Sequence, residues 1–429
     1  MTRRMIITVN NTETDENWTC LSWYLEHGKW LDNTIPPQRI PPKGQAIIIS
    51  EKQKASTYGT TGWIKYISTI KPGSIMTITW NKPYGHDDTT CFVEMNSVNY
   101  IAKVKSLNST DQIGNCVIQL SLNPNPVDPK NWMGRLPANT TLNNIIMPGS
   151  HDAGMSELHH CSIGANDGNT QTQQLDIKGQ LEAGSRYFDI RVDYDHKELI
   201  TYHRTDIVFG WGCSGQLLET VMKQTVAFLS EHKTETAILK FSHIRGNAKQ
   251  SADVKERIRK MLESSEFNSY MFKGSDSNLA NLNISNSAGK FVAVMDYDEA
   301  ISPQKGFFRF HDGFREVEKK KEAVCAYRGL NVTVCDLYSN TDSYSKMSAD
   351  QIAKWDKYAG FGKDYLFLVS WTLTAGSGGS IRDLAREANS YLPAVLNDQI
   401  NVKKKGKPNI VYIDFLNAAT AQAIISYNF

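Results

Sequence analysis

Apolar and polar positions alternate with a period of two over most of the first 122 residues, and each alternating run is closed by turn-forming residues. The pattern predicts strands at Met5–Asn10, Cys20–Leu31, Ala46–Ser50, Thr61–Ser68, Ser74–Trp80, Cys91–Met95, Tyr100–Ser106 and Asn115–Leu122. Pro36-Pro37, Pro41-Pro42-Lys43-Gly44 and Lys71-Pro72-Gly73 punctuate them. No stretch carries an apolar stripe of helical period, so residues 1–122 read as an all-β sandwich. Asn123-Pro124-Asn125-Pro126-Val127-Asp128-Pro129 follows. Proline lacks the amide proton that a ladder or a helix interior needs, so residues 123–131 read as an extended linker.

Beyond the linker the period changes. Short β-rich runs at Asn144–Met147, Arg186–Val192, Ile200–His203, Thr236–Phe241, Lys290–Met295, Asn331–Cys335, Tyr365–Trp371 and Asn409–Phe415 alternate with helical patterns, among them Gln216–His232, Asp253–Glu263, Ile381–Leu396 and Ala418–Tyr427. Eight strands interleaved with helices over residues 132–429 predict an α/β fold of the (β/α)₈ TIM-barrel type. One connection strains this reading. Asp193–Leu199 is too short for a parallel crossover, so the barrel is expected to be irregular there.

Composition narrows the function. The chain has 429 residues, 40% hydrophobic, and 47 Lys plus Arg against 45 Asp plus Glu, a formal net charge of +2. A dedicated nucleic-acid binder would show a clear basic excess, so no nucleic-acid partner is expected. The apolar run after Met1-Thr2-Arg3-Arg4 ends at Asn10, too short for a secretory signal, and no run is long enough to span a bilayer. The expectation is a protein without an anchor, cytoplasmic or released by a non-classical route and acting peripherally on membranes. Seven cysteines are odd in number, widely spaced and free of C-x-x-C, which argues against a zinc or redox motif and fits free thiols better than a disulfide framework.

In a barrel of this kind the carboxyl ends of the strands carry function. The predicted ends hold His151 and Asp152, then Asp189 and Arg191, then His203, then Lys240, Ser242 and His243, and finally Asp414. Two imidazoles on one rim suit acid and base work near neutral pH. An arginine between them can hold a phosphate in a bidentate grip. Carboxylates behind the imidazoles would fix their tautomers. Asp189 and Arg191 also share a strand face, so an internal ion pair is the plainer alternative.

Met147-Pro148-Gly149-Ser150-His151-Asp152-Ala153-Gly154, Gln180-Leu181-Glu182-Ala183-Gly184-Ser185-Arg186-Tyr187-Phe188-Asp189-Ile190-Arg191, Tyr202-His203 and Leu368-Val369-Ser370-Trp371-Thr372 resemble the X domain of phosphatidylinositol-specific phospholipase C. The resemblance implies an irregular TIM barrel that cleaves a membrane phospholipid, without a metal or other cofactor, to diacylglycerol and a cyclic inositol phosphate. It implies that His151 is the general base oriented by Asp414, that His203 is the general acid with Asp152 behind it, and that Arg191, backed by Asp189, meets the phosphate where calcium-dependent relatives place an acidic ligand. Lys240, Ser242, His243 and Trp371 are the substrate-side candidates. Where the family carries a lysine or glutamate the chain has Ser242, and where a headgroup arginine is expected it has Asp296. Gly28-Lys29-Trp30, Tyr58-Gly59-Thr60-Thr61-Gly62-Trp63-Ile64-Lys65-Tyr66 and Ile78-Thr79-Trp80-Asn81-Lys82-Pro83-Tyr84-Gly85 are similar to the aegerolysin family of lipid-binding sandwiches, which makes Trp30, Trp63 and Trp80 candidates for lipid contact. Two other functions stay open: a lipid-binding or pore-associated toxin with a silent barrel, and another phosphodiesterase of the glycerophosphodiester or sphingomyelin type.

Overall fold

The computed structural model describes residues 3–429 except 34, 55, 72, 85–88, 125, 206–209, 318–321 and 377–378. Met1-Thr2, Pro72, Gly85 and Asn125 of the sequence patterns above lie outside the described residues. Contacts divide the chain into Met1–Val127 and Asp128–Phe429.

In the first unit the alternating runs form two five-stranded sheets. One has the order Lys29–Trp30, Gln45–Glu51, Arg4–Asn10, Ile113–Leu122, Tyr100–Ser109, and the other Arg39–Ile40, Trp18–His27, Thr60–Ser68, Ile75–Lys82, Thr90–Asn96. Neighbours are antiparallel except Arg4–Asn10, which pairs in parallel with Ile113–Leu122. Period-two alternation puts Met5, Ile7 and Val9 of one sheet and Ile64, Tyr66, Met76, Ile78 and Trp80 of the other into one shared core. Glu16 is buried at the end of this core, accepting hydrogen bonds from Ser68 Oγ and Tyr100 Oη, each at 2.7 Å, and from the backbone N–H groups of Asn17, Thr69 and Ile70.

The second unit is a closed barrel of eight parallel strands: β1 (Met147–Ser150), β2 (Tyr187–Asp195), β3 (Thr236–Ser242), β4 (Lys290–Met295), β5 (Phe307–Asp312), β6 (Val332–Cys335), β7 (Leu366–Ser370) and β8 (Ile410–Ile413). β1 pairs with both β8 and β2, which closes the ring. Helices Leu218–Glu231, Ala248–Leu262, Tyr344–Tyr358 and Ile381–Leu396 follow β3's predecessor hairpin, β3, β6 and β7. At the amino-terminal end of the barrel Arg186 and Glu235, both fully buried, pair at 2.6 Å, and Arg186 also donates to the carbonyls of Leu181, Ser185, Pro129 and Lys130.

The strand order corrects the sequence reading at one place and explains its difficulty. Residues 200–203 belong to Glu198–Arg204, which is antiparallel to β2 and pairs onward with Gly212–Leu217. The short connection is therefore a hairpin turn, with His196 and Lys197 at positive φ, and no crossover is needed. The missing eighth strand is β5, which follows β4 after residues 296–306, where the one helical turn is Pro303–Lys305. β1 also starts at Met147, later than predicted, after a short turn at Leu142–Asn144.

The reading of the cysteines as free thiols is corrected in part. Cys161 is bonded to Cys213 and Cys325 to Cys335, while Cys20, Cys91 and Cys116 are free. The partners lie 52 and 10 residues apart in sequence; Cys213 sits on Gly212–Leu217, and Cys325, at the end of Glu322–Cys325, meets Cys335 at the end of β6. No helix among the described residues is long and apolar enough to cross a membrane.

Candidate active site

β1 delivers His151 and Asp152 to the rim. Asp152 takes a positive φ of 40°, which ends the strand, and the neighbouring amides close onto the adjacent strands: His151 N–H on the Ile413 carbonyl at 3.1 Å and Ala153 N–H on the Asp189 carbonyl at 2.9 Å. Tyr187, Asp189 and Arg191 share one face of β2 because side chains alternate along a strand. The hairpin then folds back and returns His203 to the same rim.

Two imidazoles, each backed by a carboxylate, flank one guanidinium. His151 Nδ1 lies 2.7 Å from Asp414 Oδ1, and His203 Nδ1 lies 2.7 Å from Asp152 Oδ2. Arg191 Nη2 is 3.0 Å from His151 Nε2, Arg191 Nε is 3.1 Å from Asp189 Oδ2, and Arg191 also pairs with Asp152. Guanidinium nitrogens only donate, so in the neutral imidazole His151 Nε2 accepts, which places the ring proton on Nδ1 toward Asp414. That is the tautomer a base needs if Nε2 is to take a proton from substrate.

Electrostatics follow from this packing. Burial would lower the pKa of His151, but the carboxylates of Asp152 and Asp414 outweigh it and raise the imidazole from 6.5 to about 9. Burial works to raise Asp152 and Asp189, yet the Arg191 guanidinium holds both below the usual carboxylate range. Arg191, desolvated but paired with both, stays charged. His151, Asp152 and Asp189 bring potential metal-ligating atoms within 4.8 Å of one another, and Arg191 contacts all three, so a fixed organic cation stands where those residues would hold an ion.

The structure brings His151, Asp152, Asp189, Arg191, His203 and Asp414 into one cluster and sorts the remaining candidates. Lys240 joins it from β3, its Nζ 4.0 Å from Asp189 Oδ1, 3.8 Å from Asp336 Oδ2 and 4.2 Å from the centre of the Phe310 ring. Ser242 is buried and donates to Asp189 Oδ1 at 2.6 Å, so it holds a carboxylate and is not free for substrate. His243 is exposed at positive φ beside the rim. Trp371 is corrected to a core residue: it is buried, with its indole N–H on the Ala388 carbonyl at 2.8 Å. Trp30 and Trp80 are likewise buried in the sandwich core, and only Trp63 of the three is partly exposed. Among the described residues of the sandwich the exposed aromatics are Trp23, Tyr24, Tyr58 and Tyr84, and Leu21 is exposed as well; Tyr24 lies across from Trp63, and Arg39–Ile40 pairs only with Trp18 and Thr19, so the outer edge of Trp18–His27 is otherwise without a strand partner among the described residues.

Sequence reasoning missed the groups that hold the rim together. Gln173 Nε2 donates to the carbonyls of His151 and Ile413, and its Oε1 accepts from Leu416 N–H, tying β1 to β8. Thr172 Oγ1 donates to the Asp152 carbonyl, and Asn389 Nδ2 to the Asp414 carbonyl. These residues lie in a loop and a helix with no local signal. Asp296, Asp312 and Asp336 do have one, since each ends or follows a barrel strand; burial raises the pKa of all three. A cavity of about 280 Å³ at the ends of β4 and β5 is lined by Asp296, Arg309, Phe310, His311, Asp312 and Arg328. Arg309 and Arg328 bring guanidinium groups to this cavity, and Asp296 lines it at the position where the resemblance implies an arginine.

A parallel barrel whose rim carries two His–Asp pairs around an arginine holds the groups that acid and base chemistry at a phosphate needs. Comparison with known proteins points to relatives of both units. Residues 2–123 match the family model described as Aegerolysin. Over 116 residues the chain is 34% identical to a 1-phosphatidylinositol phosphodiesterase of Listeria monocytogenes, covering 27% of this chain and 33% of that protein. A further match of 142 residues is 27% identical to human PI-PLC X domain-containing protein 3, covering 28% of this chain and 43% of that protein. The aligned stretches therefore span less than half of these relatives' own length. Among solved structures, the phosphatidylinositol-specific phospholipase C of Listeria monocytogenes superposes with a TM-score of 0.50 at 20% identity over 71% of this chain and 99% of that one. That of Staphylococcus aureus superposes with 0.51 at 18% identity over 70% and 97%. The amino-terminal unit is aegerolysin-like, and the barrel is structurally related to bacterial phosphatidylinositol-specific phospholipase C.

Proposed function

We propose that the barrel is a metal-independent phosphodiesterase of the phosphatidylinositol-specific phospholipase C type, acting on a membrane phospholipid, and that the aegerolysin-like unit holds it at the membrane surface. The observation that carries the reading is the arrangement of His151 and His203 around Arg191, each imidazole fixed by its own carboxylate. His151 in its neutral form, with Nε2 unprotonated beside Arg191, takes the proton from the headgroup hydroxyl next to the phosphoester onto Nε2, and that oxygen attacks phosphorus. Asp414 keeps the opposite ring proton on Nδ1 and stabilises the imidazolium that forms. Arg191 donates to the phosphoryl oxygens and offsets the charge that gathers there, an interaction that strengthens in the transition state. His203, held by Asp152, gives its Nε2 proton to the departing diacylglycerol oxygen. The product is a cyclic inositol phosphate, which the same pair can open with water by exchanging acid and base roles.

Lys240 and the carboxylates Asp296, Asp312 and Asp336 offer a charged lining for a headgroup rich in hydroxyls. On the sandwich, Trp23, Tyr24, Tyr58 and Trp63 supply exposed rings of the kind that settle at a headgroup boundary. Tethering raises the local concentration of barrel against a substrate confined to two dimensions. The test is turnover of phosphatidylinositol vesicles in EDTA, with release of cyclic inositol phosphate followed over time. Turnover by the wild type that is lost in His151→Ala supports the proposal. No turnover, or turnover restored only by added calcium or magnesium, overturns it.

A further inference from the structure

Away from the rim, the hairpin turn after β2 and the loop after β1 bring His160, Asp195 and His196 together, with ligand atoms all within 4.8 Å of one another. His160 Nδ1 is 3.2 Å from Asp195 Oδ2, and His196 Nδ1 is 2.9 Å from Asp195 Oδ1. The two imidazole rings lie 3.9 Å apart, centre to centre. Four ligands placed tetrahedrally at about 2.0–2.1 Å from an ion are separated by about 3.3 Å, so the nitrogen-to-oxygen spacings here are close to the edges of such a coordination shell. One imidazole would satisfy one carboxylate oxygen as a simple hydrogen bond. Here the two imidazoles meet the two different oxygens of one carboxylate with their rings close together, which makes a His₂Asp ligand set with an open fourth position.

Both sides of the set are fixed before any ion arrives. The His160 loop is bonded to the barrel hairpin by Cys161–Cys213, by reciprocal backbone hydrogen bonds between His159 and Ser214 at 2.7 and 2.8 Å, and by Arg204 Nη2 on the His160 carbonyl at 2.7 Å. Asp195 and His196 sit at the hairpin turn, where Asp195 pairs with Glu198. His160 and His196 both adopt φ of 48°, a region that side-chain-bearing residues seldom occupy, and this backbone geometry turns the rings toward the shared carboxylate. All three side chains keep solvent access, so an ion can enter and hold a water.

We infer that His160, Asp195 and His196 form a binding site for a divalent transition-metal ion of the zinc class, separate from the catalytic rim. Two imidazole nitrogens select zinc, copper or nickel over magnesium and calcium, which prefer all-oxygen shells. The bound ion joins the loop after β1 to the turn of the hairpin whose return strand carries His203, so it stiffens the element that presents the proposed acid.

The experiment is titration of the full chain with zinc chloride by calorimetry, with cobalt(II) absorption as a reporter of nitrogen-containing tetrahedral coordination. It is carried out on His151→Ala/His203→Ala, so that the rim cannot contribute ligands and the result stands whether or not the barrel is an enzyme. One ion per chain is expected, with affinity at least about 100-fold weaker in His160→Ala, Asp195→Asn and His196→Ala, more than the 10–100-fold that loss of an outer-shell partner costs. His159→Ala, one residue from the set, should bind as the parent does. Zinc should also raise the unfolding temperature of the parent and leave that of the three ligand variants unmoved. Absence of binding at millimolar zinc, unchanged affinity in the ligand variants, or equal binding of magnesium or calcium would overturn the inference.

Discussion

Replacing Asp414 by Asn tests the geometry at its base. His151 is raised from 6.5 to about 9, against the effect of burial, by Asp152 and Asp414. That gap corresponds to roughly 3 kcal/mol at about 1.4 kcal/mol per pH unit. Asp414 makes the 2.7 Å contact to Nδ1. If it supplies about half of the gap, Asp414→Asn brings the imidazole down by about one to two pH units. The amide can also donate to Nδ1, which forces the ring proton onto Nε2, where the lone pair is required; a tautomer reversal of this kind costs on the order of 10⁴ in turnover. Asn389 still holds the backbone of position 414, so the loop should not move. The assay is the pH dependence of kcat/KM on phosphatidylinositol vesicles, which reports ionisations of the free enzyme. The wild type should rise nearly tenfold from pH 7 to pH 8, with the midpoint of its rising limb near pH 9, because the base form grows as the imidazolium titrates. The variant should be slower by three to four orders of magnitude, with its rising limb displaced toward neutral pH. A variant within about threefold of wild type, with the limb unmoved, would refute the assignment of His151 as base and of Asp414 as its orienter.

Other outcomes follow from the same contacts. Arg191→Lys keeps the charge but loses the planar fork that meets His151, Asp189 and Asp152, and should lower kcat by about 10²–10³ while leaving the unfolding temperature within a few degrees. Glu235→Ala leaves the fully buried Arg186 without its carboxylate and should destabilise the barrel by about 3–5 kcal/mol, read by urea denaturation. Glu16 is depressed because the hydrogen bonds from Ser68, Tyr100, Ile70 and Asn17 overcome its burial; its stabilising contribution is therefore complete above the ordinary value of 4.5 and disappears as pH falls through the lower folded value. Glu16→Gln should accordingly lower sandwich stability at pH 7 and flatten its decline in acid. Trp23→Ala, Tyr24→Ala and Trp63→Ala should each weaken vesicle binding about tenfold, since a half-exposed ring has on the order of 1–2 kcal/mol of burial left to gain. Trp30→Phe and Trp80→Phe should change stability and leave vesicle affinity unchanged.

Local patterns carried far in this chain. Alternation located eight runs of the sandwich but missed Arg39–Ile40 and read Trp18–His27 and Lys29–Trp30, which lie in different sheets, as one strand, while strand ends pointed to His151, Asp152, Arg191, His203 and Asp414. What escaped depends on topology. β5 was hidden because only a short turn separates it from β4, leaving no helical period to mark a new barrel unit. Residues 200–203 look like a barrel strand because an antiparallel hairpin strand has the same alternation; direction is not written in it. Trp30 and Trp80 face inward with Met76 and Ile78, whereas Trp23 reaches the surface next to a register shift between Cys20 and Ser22 that period two does not foresee. The disulfides tie a loop cysteine, Cys161, to Cys213 on a hairpin strand and Cys325 to Cys335 at the end of β6, pairings that no spacing motif marks, and Gln173 and Asn389 act on backbone groups of residues more than 20 positions away.

The division of labour between the two histidines is the centre of the account, and a change of leaving group tests it most directly. Single-turnover cleavage is measured for the wild type, His203→Ala and His151→Ala on an inositol phosphodiester whose leaving group is an alkoxide and on one whose leaving group is a nitrophenolate, which departs without a proton. His203→Ala should lose about 10²–10⁴ on the first and recover most of that on the second, while His151→Ala stays slow on both. Equal impairment of His203→Ala on the two substrates, or rescue of His151→Ala by the better leaving group, would contradict the assignment of acid and base.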